Sequence, residues 1–197
     1  MNIAVFASHG GSDLQAIIDG CRNDLIGAQV AAVISNNGDS MALQRGRNAG
    51  IPSYHLSTKK CGSEEQLAEE LLAVLKEHDI DMIFLAGYMR MLHISVLEQY
   101  SGRIFNIHPA LLPRYGGRGM YGMNVHNAVI AAGEKESGVT IHRVDAEYDS
   151  GEIVAQTTVP VMEDDTPESL AARVLEREHS FLVEVIGSIA RGEIRLG

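Results

Sequence analysis

Asn106 and His108 are spaced to do chemistry together. They lie in Arg103-Ile104-Phe105-Asn106-Ile107-His108, an apolar run of strand length that Pro109 ends, because proline has no N–H to give a ladder. Side chains two apart on a strand share a face. The amide and the imidazole therefore project side by side, while Phe105 and Ile107 point the other way. An amide can hold a carbonyl oxygen, and an imidazole can move a proton near neutral pH. The carboxyl end of a strand in an open α/β sheet is where ligands bind. Taken alone, the pair also suits an ordinary histidine at a strand end, so the rest of the chain has to decide.

The elements that must position this pair alternate from the first residues. Asn2–Ala7 is an apolar strand. It leads through Ser8-His9-Gly10-Gly11-Ser12-Asp13 into a helix with apolar Leu14, Ile17 and Ile18, and Ser12 or Asp13 is expected to cap its start. A strand, a glycine-rich turn and a helix N-terminus make an anion site, most often for phosphate. The turn is neither G-x-G-x-x-G nor a Walker loop. Ile26–Ser35 reads as a second strand, Met41–Ala49 as a helix behind a candidate Ser40 cap, and Ile51–His55 as a short edge strand. A polar loop is expected over residues 57–62. Ser63-Glu64-Glu65-Gln66 resembles a capping box before an amphipathic helix carrying Leu67, Leu71, Leu72, Val74 and Leu75. Ile80–Ala86 is continuous enough for a strand buried on both faces. Gly87–Leu92 leaves it as a loop, and His93–Tyr100 is a short helix. Four such alternations predict a Rossmann-like, mostly parallel α/β sheet flanked by helices, with right-handed crossovers.

The pattern changes after Pro109. Leu111–Met123 is a long loop with four glycines between 116 and 122, and long loops inside compact domains are usually functional. A helix follows over Asn124–Ala132. Ser137–Val144 and Ile153–Val161 read as a β-hairpin around the acidic turn Asp145–Glu152. Val139, Ile141 and Arg143 alternate there against Thr140 and His142. Thr166-Pro167 starts a long C-terminal helix to about Arg191, with Leu170, Val174, Leu175, Leu182, Val185 and Ile186 inward.

The chain has 197 residues, 45 % of them hydrophobic, two cysteines and a net charge of −10. One domain, 1–197, is expected, with a phosphate-binding half (1–100) and a catalytic half (101–197). The acidity argues against a nonspecific nucleic-acid binder. No apolar run approaches the roughly 20 residues of a membrane helix. Met1–Phe6 has no basic region of a signal peptide, and Cys21 and Cys61 form no disulfide framework. A cytoplasmic location, no membrane partner and a monomer or homodimer are expected.

By this point five segments stand in one order: Gly10-Gly11-Ser12-Asp13-Leu14-Gln15-Ala16-Ile17, Leu85–Leu92, Asn106-Ile107-His108-Pro109-Ala110-Leu111-Leu112-Pro113, Gly138-Val139-Thr140-Ile141-His142 and Asp149-Ser150-Gly151. Over essentially its full length the chain resembles the glycinamide ribonucleotide formyltransferases of purine synthesis. The pairing of the Asn106–Pro113 motif with His142 and Asp149-x-Gly151 is specific to enzymes that handle the formyl group of 10-formyltetrahydrofolate. The resemblance implies Asn106, His108 and Asp149 as catalytic residues. It implies Gly11, Ser12 and Asp13 at the ribonucleotide phosphate, Glu178 at the glycinamide end, and Met89, Arg90, Met91, Leu92 and Asn106 at the folate. His142 matches a recurring family position and is expected to be supporting structure. Asp145, Glu147 and Glu152 share the turn with Asp149, and spacing alone does not choose among the four. The implied co-substrate is 10-formyltetrahydrofolate and the partner is glycinamide ribonucleotide. No zinc spacing is present and no metal is expected.

The chemistry agrees with the resemblance. Formyl transfer passes through a tetrahedral oxyanion that needs fixed donors. Asn106 supplies an N–H, and a protonated His108 supplies a charge-assisted donor and a proton for the leaving nitrogen. A nearby carboxylate favours the imidazolium and collects the amine's proton. This chain departs from the family where Asp13 replaces asparagine, His9-Gly10 replaces glycine-asparagine, and Glu64 replaces a basic residue for which Lys59 or Lys60 is a candidate substitute. Its loop at 116–122 is also longer. Three readings compete. A methionyl-tRNA formyltransferase is expected to carry a C-terminal domain and a tRNA-binding surface. A formyltetrahydrofolate deformylase is expected to carry an N-terminal regulatory domain. A non-catalytic nucleotide sensor could be built on the same sheet, but the Asn106, His108 and Asp149 constellation argues against it.

Overall fold

The computed structural model describes all 197 residues, Met1–Gly197. The elements run β1 (Asn2–Phe6), α1 (Ser12–Arg22), β2 (Gln29–Ser35), α2 (Met41–Asn48), β3 (Ser53–His55), α3 (Thr58–Cys61), α4 (Glu64–Glu77), β4 (Met82–Leu85), α5 (Ile94–Gln99), β5 (Ile104–His108), α6 (Met123–Ala131), β6 (Glu136–Arg143), β7 (Ile153–Pro160) and α7 (Pro167–Ala190). The seven strands form one sheet in the order β3-β2-β1-β4-β5-β6-β7. The first five are parallel, and β6 and β7 add on antiparallel as a hairpin.

Alternation along the strands builds two cores. Ile3 and Val5, Met82 and Phe84, and Phe105 and Ile107 point to the face covered by α1, α6 and α7. Ala4 and Phe6, Ile83 and Leu85, and Ile104 point to the face covered by α4 and α5. Phe6, Phe84 and Phe105 are fully buried, and truncating such a ring to alanine typically costs about 3–5 kcal/mol. Strand order reverses between β1 and β4. The turns after these two strands therefore splay apart at the carboxyl edge of the sheet and leave a crevice. The two turns are the glycine-rich segment before α1 and Gly87–Leu92.

Several local expectations change. Neither Ser12 nor Asp13 caps α1. Gly11 is its N-cap, in the left-handed conformation at φ 67°, with no side-chain cap. A backbone turn of that hand starts the helix directly, so Ser12 becomes the first helical residue. The expected polar loop at 57–62 contains the short helix α3, whose Lys60 and Cys61 N–H groups both bond back to the Ser57 carbonyl. Ser63 caps α4 through Gln66 N–H, which is half of the expected capping box. Thr166 and Ser169 form a complete one on α7. Leu175, expected inward on α7, is exposed. The buried stripe of that helix runs instead through Val174, Glu178, Phe181 and Leu182, and it carries a carboxylate where periodicity favours an apolar residue.

Candidate active site

The β5–β6 register assembles the centre of the site. Asn106 stands opposite His142, and His108 stands opposite Thr140. Asn106 Nδ2–H donates to His142 Nε2 at 3.0 Å, and His142 Nδ1–H donates to the Arg143 carbonyl at 2.8 Å. The His142 proton is thus on Nδ1, and the ring fixes which way the Asn106 amide faces. His108 Nε2–H donates to the Tyr115 carbonyl at 2.7 Å. That leaves His108 Nδ1 as the free nitrogen, 3.6 Å from Asp149 Oδ2. Asp149 Oδ1 lies 3.5 Å from His142 Nε2. Both separations exceed a normal hydrogen bond, so the carboxylate faces the two rings across a gap.

The acidic turn resolves into separate jobs. Asp145 accepts from Ser150 Oγ–H and Glu147 N–H, and so braces the turn. Glu152 pairs with Arg143. Only Asp149 reaches the histidines. It is held in the left-handed region at φ 54°, a conformation aspartate tolerates better than most residues. Gly151 makes the turn possible, because a Cβ there would lie 1.9 Å from the Arg143 carbonyl oxygen.

The long glycine-rich loop closes over this centre. Tyr115 gives its carbonyl to His108, and Gly117 N–H donates to Asp149 Oδ2 at 2.9 Å. The loop is itself anchored through Glu134, which accepts from Tyr115 Oη–H at 2.8 Å and pairs with Arg114. Sequence reasoning left this loop without an assigned contact. Nothing in its composition identifies two backbone groups as partners of His108 and Asp149. No motif marks the buried His126 on α6 either, and its Nδ1 has no partner.

Electrostatics sorts the charges. Burial pushes His108 below the ordinary histidine value, and the His142 ring adds to this. The nearby Asp149 charge and the Tyr115 carbonyl act the other way without overcoming it. A lowered pKa favours the neutral ring, which leaves Nδ1 open. Burial alone would raise Asp149, but the His142 ring, His108 and the Gly117 N–H together hold its carboxyl below the usual range. The carboxylate is ionised at neutral pH.

The glycine-rich turn lies at the end of β1. The left-handed Gly11 frees the first-turn N–H groups of α1, which have no intrahelical acceptor. Ala42 packs so closely that a Cβ on Gly11 would lie 2.9 Å from its Cα. Arg45 on α2 crosses the turn, with Nε–H donating to the Gly10 carbonyl and a second nitrogen to Gln15. No motif marked this cation. Asp13 offers its backbone to the turn, but its side chain faces His179 on α7 at 3.5 Å. Glu178, the residue before His179 on α7, is also buried.

A cavity of about 1000 Å³ opens beside Gly87–Leu92, at the upper end of the range for ligand pockets. Met89, Arg90, Met91 and Leu92 all line it, as does Tyr148, the neighbour of Asp149. Ser8 braces the wall. Its Oγ accepts from Met89 N–H at 2.8 Å and donates to Asn36 Oδ1 at 2.6 Å. Asn106 is not part of the cavity lining. Of the two candidate lysines, Lys59 lines the cavity with Arg90, whereas Lys60 donates to the His55 carbonyl. Glu64 is on the rim and accepts from Thr58 Oγ1–H. No three His, Cys, Asp or Glu side chains come together as a metal-ligand set, and no helix is long and apolar enough to cross a membrane.

Comparison with known proteins places this geometry among relatives. A family model described as formyl transferase matches residues 1–186. Phosphoribosylglycinamide formyltransferase of Escherichia coli K12 is 38 % identical over all of this chain and 90 % of its own length. The chloroplastic protein of that name from Arabidopsis thaliana is 41 % identical over 98 % of this chain. The chain spans 66 % of that plant protein's length, just under two thirds. A crystal structure of glycinamide ribonucleotide transformylase 1 from Symbiobacterium toebii superposes with a TM-score of 0.90 at 38 % identity, covering 98 % of this chain and 88 % of that one.

Proposed function

The chain belongs to the formyl transferase family, and on that premise we propose that it transfers the formyl group of 10-formyltetrahydrofolate to the amine of glycinamide ribonucleotide. The observation that carries this reading is the convergence of the Asn106 amide, the free Nδ1 of His108 and the ionised Asp149 on one point at the carboxyl edge of the sheet. A phosphate turn flanks that point at β1, and a folate-sized cavity flanks it at β4.

Each residue has a role in this reading. The second N–H of Asn106 meets the formyl oxygen as it gains charge, and it does so from an orientation His142 has already set. Such preorganised donors are worth about 2.7–4 kcal/mol each in comparable enzymes. His108 accepts a proton from the attacking nitrogen at Nδ1 and becomes an imidazolium between Asp149 and the oxyanion. It then gives that proton to the departing folate nitrogen. One ring thus serves as base and then acid, and protons balance without a second carrier. Asp149 supplies the charge that makes the imidazolium affordable in a buried place. The first-turn N–H groups of α1, with Gly11 and Ser12, take the phosphate. Glu178 faces the glycinamide end. Met89 to Leu92 line the folate site, and Arg90 with Lys59 gives it a basic rim for the folate carboxylates.

The test is a pair of mixtures: pure protein with 10-formyltetrahydrofolate and glycinamide ribonucleotide, and pure protein with the folate in water alone. Tetrahydrofolate should form only when the amine is present. Equal release without the amine would make the protein a hydrolase, and turnover in neither mixture would leave a nucleotide-binding module.

A further inference from the structure

Tyr115 holds a backbone conformation that a bulky residue rarely adopts: its φ is 57°, in the left-handed region. Such a conformation persists only where the surroundings fix it. Two contacts do so here. The Tyr115 Oη–H donates to Glu134 Oε1 at 2.8 Å, and the Arg114 guanidinium, paired with Glu134, lies 5.5 Å from the centre of the Tyr115 ring. Glu134 is itself tied to the core. It follows α6, and its N–H donates to the Val129 carbonyl at 3.3 Å. The next residue, Lys135, accepts from Val161 N–H at 3.0 Å just past the end of β7. Val125 and Val129 seat α6 in the core. The Glu134 side chain is 23 % exposed and its Arg114 partner 59 %. Ion pairs open to solvent contribute little, so the Tyr115 hydroxyl is the contact that matters most for the anchor.

We propose that Glu134 is a positioning residue for the reaction: by holding Tyr115 in this turn it sets the tautomer of His108. This rests on the role of base given to His108 above. A neutral imidazole carries its proton on either nitrogen, and the hydrogen bond at one nitrogen decides the state of the other. The Asp149 carboxylate, 3.6 Å from Nδ1, draws the proton to that side. The Tyr115 carbonyl, 2.7 Å from Nε2, draws it to the opposite side. A carbonyl only accepts, so this contact keeps the proton on Nε2 and leaves the Nδ1 lone pair free to take a proton from the attacking nitrogen. Once Tyr115 is released its carbonyl leaves Nε2, the carboxylate wins, and a proton on Nδ1 blocks that step. The same turn carries Gly117, whose N–H donates to Asp149 Oδ2 at 2.9 Å. Releasing Tyr115 therefore also frees the carboxylate to approach the ring. Gly116 lets the turn sit this close, because a Cβ there would lie 2.4 Å from Leu112 Cδ2. Glu134 acts through Tyr115 and not on the reacting atoms.

The test compares Glu134→Ala, Tyr115→Phe and Glu134→Gln by steady-state kinetics and by nitrogen NMR of the histidine rings at about pH 8, where an ordinary histidine is neutral. The His108 signals are identified by their loss in His108→Ala. The wild type should show His108 protonated on Nε2 alone. Glu134→Ala and Tyr115→Phe should each move His108 toward the Nδ1–H form and lower kcat about tenfold, with both KM values within twofold. The double variant should be no slower than either single one, because both changes cut the same bond. Glu134→Gln, whose amide oxygen still accepts from the hydroxyl, should keep the wild-type tautomer and recover most of the rate. A tautomer unmoved by both variants, a moved tautomer with unchanged kcat, or additive losses overturns the proposal. Tyr115→Phe removes a single hydroxyl, so it decides alone if Glu134→Ala fails to fold. The tautomer is read without turnover. Wild-type protein that transfers no formyl group would defeat the functional reading, while a tautomer shift in the variants would still show Glu134 governing the ring, so the two failures are distinct.

Discussion

Asn106 on β5 and His142 on β6 are directly opposed in the sheet, and the amide of one donates to the imidazole of the other at 3.0 Å. The proposed oxyanion donor is thereby oriented by strand register and not by a loop. His142→Ala should leave the sheet intact and lower kcat about tenfold, the loss expected for one orienting hydrogen bond. His142→Gln, which retains a side-chain acceptor, should recover part of it. Steady-state kinetics of the two variants checks this, and equal rates for both would deny His142 the orienting role.

In the proposed mechanism His108 carries the transferred proton. His108→Ala should fold and bind both substrates, with turnover reduced by a factor on the order of 10² or more. Single-turnover measurement separates chemistry from release, and a near-wild-type rate would remove His108 from the mechanism.

Asp149 acts on His108 through charge. Burial lowers the basicity of His108 and the Asp149 carboxylate partly restores it. Asp149→Asn removes the restoring charge, so the His108 pKa should fall further. The acid limb of the kcat/KM profile should therefore move to lower pH while the plateau drops. A lowered plateau with an unmoved limb would show that Asp149 does not tune this ring.

Gly11 combines a left-handed φ of 67° with the close approach of Ala42. A branched side chain there both strains the turn, by roughly 1–2 kcal/mol, and pushes α1 away from α2. Gly11→Val should raise the KM for the ribonucleotide about tenfold or more and leave the folate KM nearly unchanged. Equal losses would count against a phosphate site at this turn.

Two buried histidines make stability pH-dependent. Burial depresses both His108 and His126 from the ordinary value of 6.5; Asp149 and the Tyr115 carbonyl partly oppose this at His108, and the nearby His108 adds to it at His126. The folded state therefore binds fewer protons than the unfolded chain just below 6.5. Their contribution is fully present above 6.5 and is lost as pH falls through the depressed values. Urea midpoints should be highest above about pH 6.5 and decline in mild acid, before carboxylates titrate. His126→Gln should flatten that decline, and a midpoint constant down to pH 5 would contradict it.

Much of this fold is legible in the order of residues. Alternation in β5 predicts that Asn106 and His108 share a face, and they do. The apolar spacing of α1 and α4 identifies the buried stripes, with Leu72 only partly covered. Local rules failed where a backbone turn substitutes for a side-chain cap, as at Gly11. They failed again where a helix buries a carboxylate, as at Glu178, leaving Leu175 outside.

By itself the sequence determined the parallel sheet, the crevice edge and the Asn106–His108 pair, because strand and helix periods are local and repeat within a few residues. The family motifs brought Asp149 into view. Only the tertiary structure shows that Asp149, and not Asp145, Glu147 or Glu152, faces the histidines, lowers the His108 pKa by burial, joins the 115–117 backbone to His108 and Asp149, and turns the Asp13 side chain to His179. Those outcomes depend on burial and on contacts between residues distant in sequence. Desolvation and hydrogen-bond geometry exist only once the chain has closed around them.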